Sequence, residues 1–285
     1  MNELTDNYIE EFLSHLKFIK RRADSTIKEY KKILNNYNKY MKKYGLNKIA
    51  FLKYLEDSSQ LSPRTIKLRI VVLRSFLNYL YENNYINGLN YWKDANAKIP
   101  EQSPKGINNV QETILFDIIQ KENKFDYIFF NLLLKVGLRI SEALNLKKEN
   151  IIFYNDHAEL IITGKGSKER ILKITLDYAE NLIKTSGKDY VFEISDSLPT
   201  QRTMQRRFKK YVLIANQKID ILKQSGKNIN YINATPHALR HTCAKKLLNS
   251  GKNLEEVRYI LGHTNISTTG IYIRSENHTS LLDNI

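Results

Sequence analysis

The feature that most limits how this chain can fold is a lapse in apolar periodicity. From Asn87 to Asn109 it reads NGLNYWKDANAKIPEQSPKGINN, with two prolines near the end. Structureless stretches of this length are uncommon inside one compact domain, so the segment reads as a connector. The spacing predicts a first domain over residues 1–94, a linker over 95–108 and a second domain over 109–285.

The first domain reads as four helices: Glu3 to Lys20, Asp24 to Lys43, Asn47 to Glu56, and one starting at Ser62-Pro63. Ser followed by Pro is a helix start, because the proline sits where its missing N–H costs nothing. In that fourth helix Ile66, Ile70, Leu73, Leu77 and Leu80 recur at helical spacing and predict a buried stripe. Arg64, Lys67 and Arg74 fall on another face, which is either a solvated surface or a contact for an anion. The second domain reads as helices over 110–121, 126–137 and 140–147. Short strands follow at Ile151–Phe153, Ala158–Thr163 and Arg170–Ile174, the last two joined by GKGSKE. Further helices are expected at 176–184, 200–216, 236–249, 253–261 and 266–273. The fold class is therefore mainly α with one small antiparallel β-sheet.

Composition narrows the function. Lys and Arg number 45 against 30 Asp and Glu, a net charge of +15 shared by both halves of the chain. That balance suits a polyanion gripped along much of the molecule. The single cysteine, Cys243, excludes an intramolecular disulfide. The opening MNELTDNYIE is acidic and polar rather than a basic segment followed by an apolar one, so we expect no ordinary secretory signal. The longest apolar run, Tyr127 to Leu138, is too short to span a bilayer and contains a lysine. We expect a cytoplasmic protein without a membrane partner.

Four motifs carry chemistry. In TPHALRHT (235–242), Thr235 and Pro236 start a helix, and His237 and Arg240 lie on one face. His237 and His241 also have zinc-helix spacing, but Ala238 stands where the general-base glutamate would be and no further ligands complete a shell. No metal and no cofactor are expected. In VGLRISEALNL (136–146), Arg139 leaves an apolar helix and needs an anionic partner, either Glu142 or an external ligand. GKGSKER places Lys165 on a glycine-flanked hairpin tip, without the spacing of a phosphate-cradling P-loop. In GHTNISTTGIYIR (262–274), His263 precedes Tyr272 by nine residues. Taken singly, each has an ordinary structural explanation. One tyrosine among 18 is unremarkable.

Together, GLRISEAL, GKGSKER, PHALRHT and LGHTNISTTGIY, in this order and with these gaps, resemble the tyrosine recombinase (phage integrase) family, and most of all its compact Xer-type members. The resemblance spans essentially the whole chain. Two positions depart from the family pattern: Asn87-Gly88 where Asn-Pro is frequent, and Arg274 where a histidine is common. The resemblance implies an N-terminal four-helix, SAM-like core-binding domain and a C-terminal catalytic domain, with no room for an additional N-terminal arm-binding domain. It implies that Tyr272 is the nucleophile, forming a 3′-phosphotyrosyl intermediate with DNA, and that Arg139 and Arg240 clamp the phosphate. Lys165 is the candidate general acid, His237 the candidate base and His263 a hydrogen-bond donor, with Glu142 orienting a cation behind them. Lys28, Lys31, Arg64, Lys67 and Arg74 are the candidate DNA contacts of the first domain.

The implied partner is a double-stranded DNA recombination site, bound by a homo-tetramer when two sites are paired. The resemblance also implies a tail over residues 275–285 that docks on the neighbouring subunit, with a partner recombinase or a DNA translocase as a further member of the assembly. The expected role is chromosome or plasmid dimer resolution, within chromosome partition and the cell cycle. The alternatives are an integrase or transposase of a mobile element, and a DNA-binding protein that does not cut.

Overall fold

The computed structural model describes residues 2–98, 106–164 and 168–262. The chain forms two compact units, Met1–Gln102 and Ser103–Ile285.

In the first unit, helices α1 (Asn2–Ser14), α2 (Asp24–Tyr44), α3 (Lys48–Asp57) and α4 (Pro63–Glu82) surround an aromatic-rich core. The expected starts hold. Asn47 caps α3 by accepting the Ile49 and Ala50 N–H groups, and Ser62 accepts from Thr65 N–H ahead of Pro63. Leu73, Leu77 and Leu80 of the α4 stripe are buried in one cluster with Phe12, Tyr37, Phe76 and Trp92, and Ile70 is buried too, whereas Ile66, one turn from the helix start, is only half-buried. Each such apolar side chain contributes about 1.5–3 kcal/mol relative to exposure. One expectation needs correction: α1 does not continue as an α-helix to Lys20. Its last turn, His15–Ile19, widens to a π-helix in which Lys20 N–H reaches His15 O.

In the second unit, α5 (Asn109–Glu122) and α6 (Lys124–Lys135) precede the short α7 (Ile140–Leu144) and a three-stranded antiparallel sheet. The strands β1 (Ile151–Phe153), β2 (Ala158–Thr163) and β3 (Glu169–Ile174) lie in sequence order, with Ile151 opposite Leu160 and Leu160 opposite Leu172. The chain then forms α8 (Leu176–Thr185), α9 (Gln201–Gln224), α10 (Pro236–Asn249) and α11 (Leu254–Leu261). Phe129, Phe130, Phe192, Phe208 and Leu160 anchor the core. The buried carboxylate of Asp126 ties α6 to α9 by accepting from Arg207 (2.8 Å) and Tyr211 (2.6 Å).

Two helices differ in length from expectation. Helix α7 ends at Leu144 and the chain is extended at Leu146 and Lys147, where Lys147 bridges Tyr190 and Val191 N–H donates to Leu146 O, before a 3-10 turn at Lys148–Asn150. Helix α9 continues beyond residue 216, since Ile219 extends its buried stripe and Asn216 is used internally, on the backbone of Ile232. Thr235 stands at the N-cap of α10, but its hydroxyl makes no capping bond. The expected helix over 266–273 lies outside the described residues.

Candidate active site

The site is built around one buried carboxylate. Glu142 lies in the single turn and a half of α7, where Arg139 N–H donates to its Oε2 at 3.0 Å and closes the helix start. The glutamate side chain is 4% exposed and carries guanidiniums on several sides. Arg139 Nη1 meets Oε1 at 2.5 Å, Arg170 Nη2 meets Oε2 at 2.8 Å, and Arg240 Nη1 stands 3.8 Å from Oε2. Burial pushes the Glu142 carboxyl up. The hydrogen bonds from Arg170 and from Arg139 N–H, with the charges of both arginines, outweigh it, and the group ionises below the ordinary carboxylate range.

The same arginines hold the C-terminus of α11. Ile260 O accepts from Arg170 Nε at 2.8 Å, Leu261 O from Arg240 Nη2, and Gly262 O from Arg139 Nη2 at 3.0 Å. These are carbonyls that a helix end leaves without intrahelical partners, and cations there also complement the helix dipole. Arg240 Nη1 donates to Gly137 O as well, at 2.5 Å. Gly262 adopts a left-handed backbone, φ +63, and a Cβ on it would lie 2.7 Å from Arg170 Nη1. Glycine is required there on both counts.

The structure thus brings together Arg139, Glu142 and Arg240. Arg139 is the open member, with its side chain 34% exposed, whereas Arg240 is 1% exposed. His237 stands exposed on the first turn of α10, its ring 4.5 Å from that of His241. Burial and then the charges of His237 and Arg240 depress the His241 pKa to about 4. Arg139 and His237 border a groove of about 860 Å³ whose far wall is α9, with Gln201, Gln205 and Lys209. Among the described residues no group of His, Cys, Asp or Glu is arranged to hold a metal ion. None of the described helices is long and apolar enough to cross a membrane.

Lys165, His263 and Tyr272 lie outside the described residues. The described residues next to Lys165 and His263 flank the cluster: a Cβ on Gly164 would be 3.7 Å from Glu142 Oε1, and Gly262 O accepts from Arg139. In the first unit Lys28, Lys31, Arg64 and Lys67 are exposed and Arg74 is half-buried. Lys31 is paired with Glu10 at 2.7 Å.

Arg170 escaped the sequence reading. The signal was available: β3 alternates, and Arg170 shares parity with Leu172 and Ile174, so it belongs to the inward face. A charged residue on that face requires a buried partner.

This is a helical domain with a small sheet that gathers guanidiniums beside an open groove, with Arg139 the member left partly exposed. Residues 105–278 match the phage integrase family, and residues 9–84 match the phage integrase N-terminal SAM-like domain. The chain belongs to the phage integrase (tyrosine recombinase) family, whose members are DNA strand-exchange enzymes. It is 30% identical to a tyrosine recombinase XerC of Staphylococcus aureus strain JH9, over 95% of this chain and 93% of that protein. The fold is similar to that of the XerH site-specific recombinase bound to palindromic difH substrate, with TM-score 0.68, 20% identity and coverage of 90% of this chain and 80% of that one. It is also similar to a lambda integrase tetramer bound to a Holliday junction, with TM-score 0.71, 14% identity and coverage of 93% and 76%.

Proposed function

We propose that this chain cuts and rejoins DNA through Tyr272 at the cluster formed by Arg139, Glu142 and Arg240. The observation that carries the reading is the pair of guanidiniums held around one buried carboxylate, next to the end of α11 from which the chain runs on to His263 and Tyr272. The Tyr272 hydroxyl oxygen attacks phosphorus, the bond to the 5′ oxygen breaks, and the product is a 3′-phosphotyrosyl ester with a free 5′-hydroxyl. The ester keeps the bond energy for a second transfer in which a 5′-hydroxyl displaces the tyrosine. Lys165 supplies the proton to the departing oxygen, and His237 takes that of the tyrosine. Arg139 and Arg240 bind the non-bridging oxygens with planar forks, joined by His263. Glu142 holds the forks in place. Arg240 is enclosed and engaged with Gly137 O and Leu261 O, so the phosphate meets Arg139 first and reaches Arg240 by replacing a carbonyl. This scheme needs no metal or cofactor.

The biological role we propose is Xer-like resolution of chromosome or plasmid dimers in the cytoplasm, within chromosome partition and the cell cycle. Identity of 30% along nearly the whole length of a XerC supports it. The working unit is a homo-tetramer on two paired DNA sites, as the lambda integrase tetramer on a Holliday junction exemplifies for this fold. Lys28, Lys31, Arg64, Lys67 and Arg74 contact the DNA backbone, and a partner recombinase or translocase joins the assembly.

The test is Tyr272→Phe. On a nicked duplex that traps cleavage, wild-type protein becomes covalently attached to DNA, and the variant binds the site without attaching. A covalent complex formed by the variant would remove Tyr272 from the mechanism and would leave the assignment of the nucleophile wrong.

A further inference from the structure

We propose that Arg170 is a positioning residue of this reaction, acting through Glu142 and the end of α11. The inference rests on the phosphate clamp described above and adds to it a residue that touches no DNA.

Arg170 is 6% exposed on the inward face of β3, and its fork is committed inside the protein. Nη2 and Nη1 reach the two Glu142 oxygens at 2.8 and 3.4 Å, and Nε reaches Ile260 O at 2.8 Å. It therefore ties three separate pieces of chain together: the strand that follows the Lys165 hairpin, the turn that carries Arg139, and the end of α11 that leads to His263. Gly262 packs directly on its guanidinium, so the exit of α11 is shaped against Arg170.

Charge gives Arg170 its second effect. Glu142 contributes one negative charge, and Arg139, Arg170 and Arg240 one positive charge each, leaving the cluster at two positive. A phosphodiester carries one negative charge, and its five-coordinate transition state two. With Arg170 in place, Glu142 is neutralised from behind, and Arg139 and Arg240 keep their charge for the DNA. With Arg170 neutral, Glu142 would cancel one of them where the dielectric is low and the field matters most. The glutamate would also close more tightly on Arg139, its other hydrogen-bonding guanidinium.

The experiment uses the full-length chain and a nicked duplex carrying the site that the Tyr272→Phe variant selects from random-sequence DNA. Site affinity and the single-turnover rate of covalent capture are measured for wild type, R170M, R170K, E142Q and the double variant R170M/E142Q. Affinity is expected to change little, because Arg170 faces no DNA. Capture by R170M slows about 10–100-fold, the usual cost of losing a group that orients the residues at a reacting centre. R170K falls between R170M and wild type, since it restores the charge without the fork. The double variant is no slower than the slower of R170M and E142Q, because with Glu142 gone there is no charge left for Arg170 to offset. A purely structural Arg170 would lower thermal stability and leave the capture rate of folded protein unchanged.

The assignment is overturned if R170K and R170M both capture DNA at the wild-type rate, or if the losses in R170M and E142Q multiply in the double variant. Should R170M alone fail to fold, R170K and the double variant carry the test, because R170K keeps a cation opposite Glu142 and the double variant removes both partners of the buried Arg170–Glu142 pair together. Capture by Tyr272→Phe would instead overturn the reading of the nucleophile, so the two failures are told apart.

Discussion

Gly137 and Leu261 approach so closely that a Cβ on Gly137 would stand 2.5 Å from Leu261 Cδ2 and 3.1 Å from Cys243 Sγ. Gly137 also has φ +75, and its carbonyl accepts from Arg240. Gly137→Ala therefore combines left-handed strain of roughly 1–2 kcal/mol with an overlap inside a packed contact. The expected result is a melting temperature lower by about 4 °C or more, using roughly 2–4 °C per kcal/mol for a domain of this size, together with slower cleavage as the Arg240 acceptor shifts. Calorimetry and covalent capture check it. An alanine variant that melts and cleaves like wild type would show that the Gly137–Leu261 contact is not tight in solution.

The second prediction concerns acid. His241 has its pKa depressed to about 4, by burial first and by His237, Arg240 and Lys245 after it. A histidine that stays neutral when folded but protonates near its ordinary value when unfolded makes folding weaker as pH falls. Stability is thus complete above about pH 6.5 and declines toward the folded value of about 4. Glu142, with its pKa lowered, contributes stability present above the ordinary carboxylate value and lost below it. His241→Asn should flatten the decline between pH 6.5 and the carboxylate range and leave the steeper loss below it. Thermal melts across pH measure this, and an unchanged slope in the variant would rule out His241 as the titrating group.

How far the sequence reached depends on what each signal depended on. Helix starts at Asn47 and Ser62 were legible because capping is local chemistry, and the α4 stripe because burial follows a fixed period. The end of α7 was not legible: Leu146 and Lys147 leave the helix for partners at Tyr190 and Val191, more than forty positions away. Arg139 posed a choice between Glu142 and an external anion, and the structure shows the first while leaving the side chain open to the second. Arg170 was hidden in a motif whose lysine drew the attention, although strand parity pointed inward. The carbonyls of residues 260–262 as shared acceptors could not be read at all, since backbone acceptors leave no residue-type signature.

The clamp gives a third prediction. Arg139→Lys and Arg240→Lys keep the charge but lose the planar fork, whose separate nitrogens in the arginines can hold a Gly262 or Gly137 carbonyl while another faces the phosphate. Cleavage should slow by at least ~100-fold, as for loss of one donor to a developing oxyanion, with site binding retained. Single-turnover capture at rates within a few-fold of wild type would show that neither arginine touches the reacting phosphate.

Salt gives a fourth. The excess of positive charge is carried by both halves of the chain, and Lys28, Arg64 and Lys67 are exposed in the first unit. If each unit contributes backbone contacts, the total is on the order of 6–10 phosphates and affinity should drop ~10³–10⁵-fold between about 50 and 200 mM salt. Replacing Arg64 and Lys67 with glutamine should lower the slope of log affinity against log salt by about two, one for each contact. A slope that these changes leave untouched would remove the α4 face from the interface.

The last prediction concerns the tail, SENHTSLLDNI, residues 275–285, which lies outside the described residues. Its apolar residues Leu281, Leu282 and Ile285 are too few to bury one another, and it carries Glu276 and Asp283. The second unit has a cleft of about 1110 Å³ that suits such a segment. Tyr127, Ile171, Tyr178 and Ile260 give it an apolar floor, and Lys124, Lys135, Lys173 and Lys252 line it with positive charge. Ile260 is also the residue whose carbonyl Arg170 holds, so an occupant of the cleft lies against the end of α11. A tail from one subunit seated in the cleft of the next would close a head-to-tail ring and bear on the catalytic cluster of its neighbour. Deleting residues 279–285 should therefore leave binding to one site intact, impair pairing of two sites and alter cleavage. Ile171→Glu, which puts a carboxylate on the cleft floor, should reproduce that phenotype in the full-length chain. The check is a gel assay of paired-site complexes alongside recombination rate. If both variants pair and recombine sites at the wild-type rate, the tail is a frayed terminus and the cleft has some other occupant.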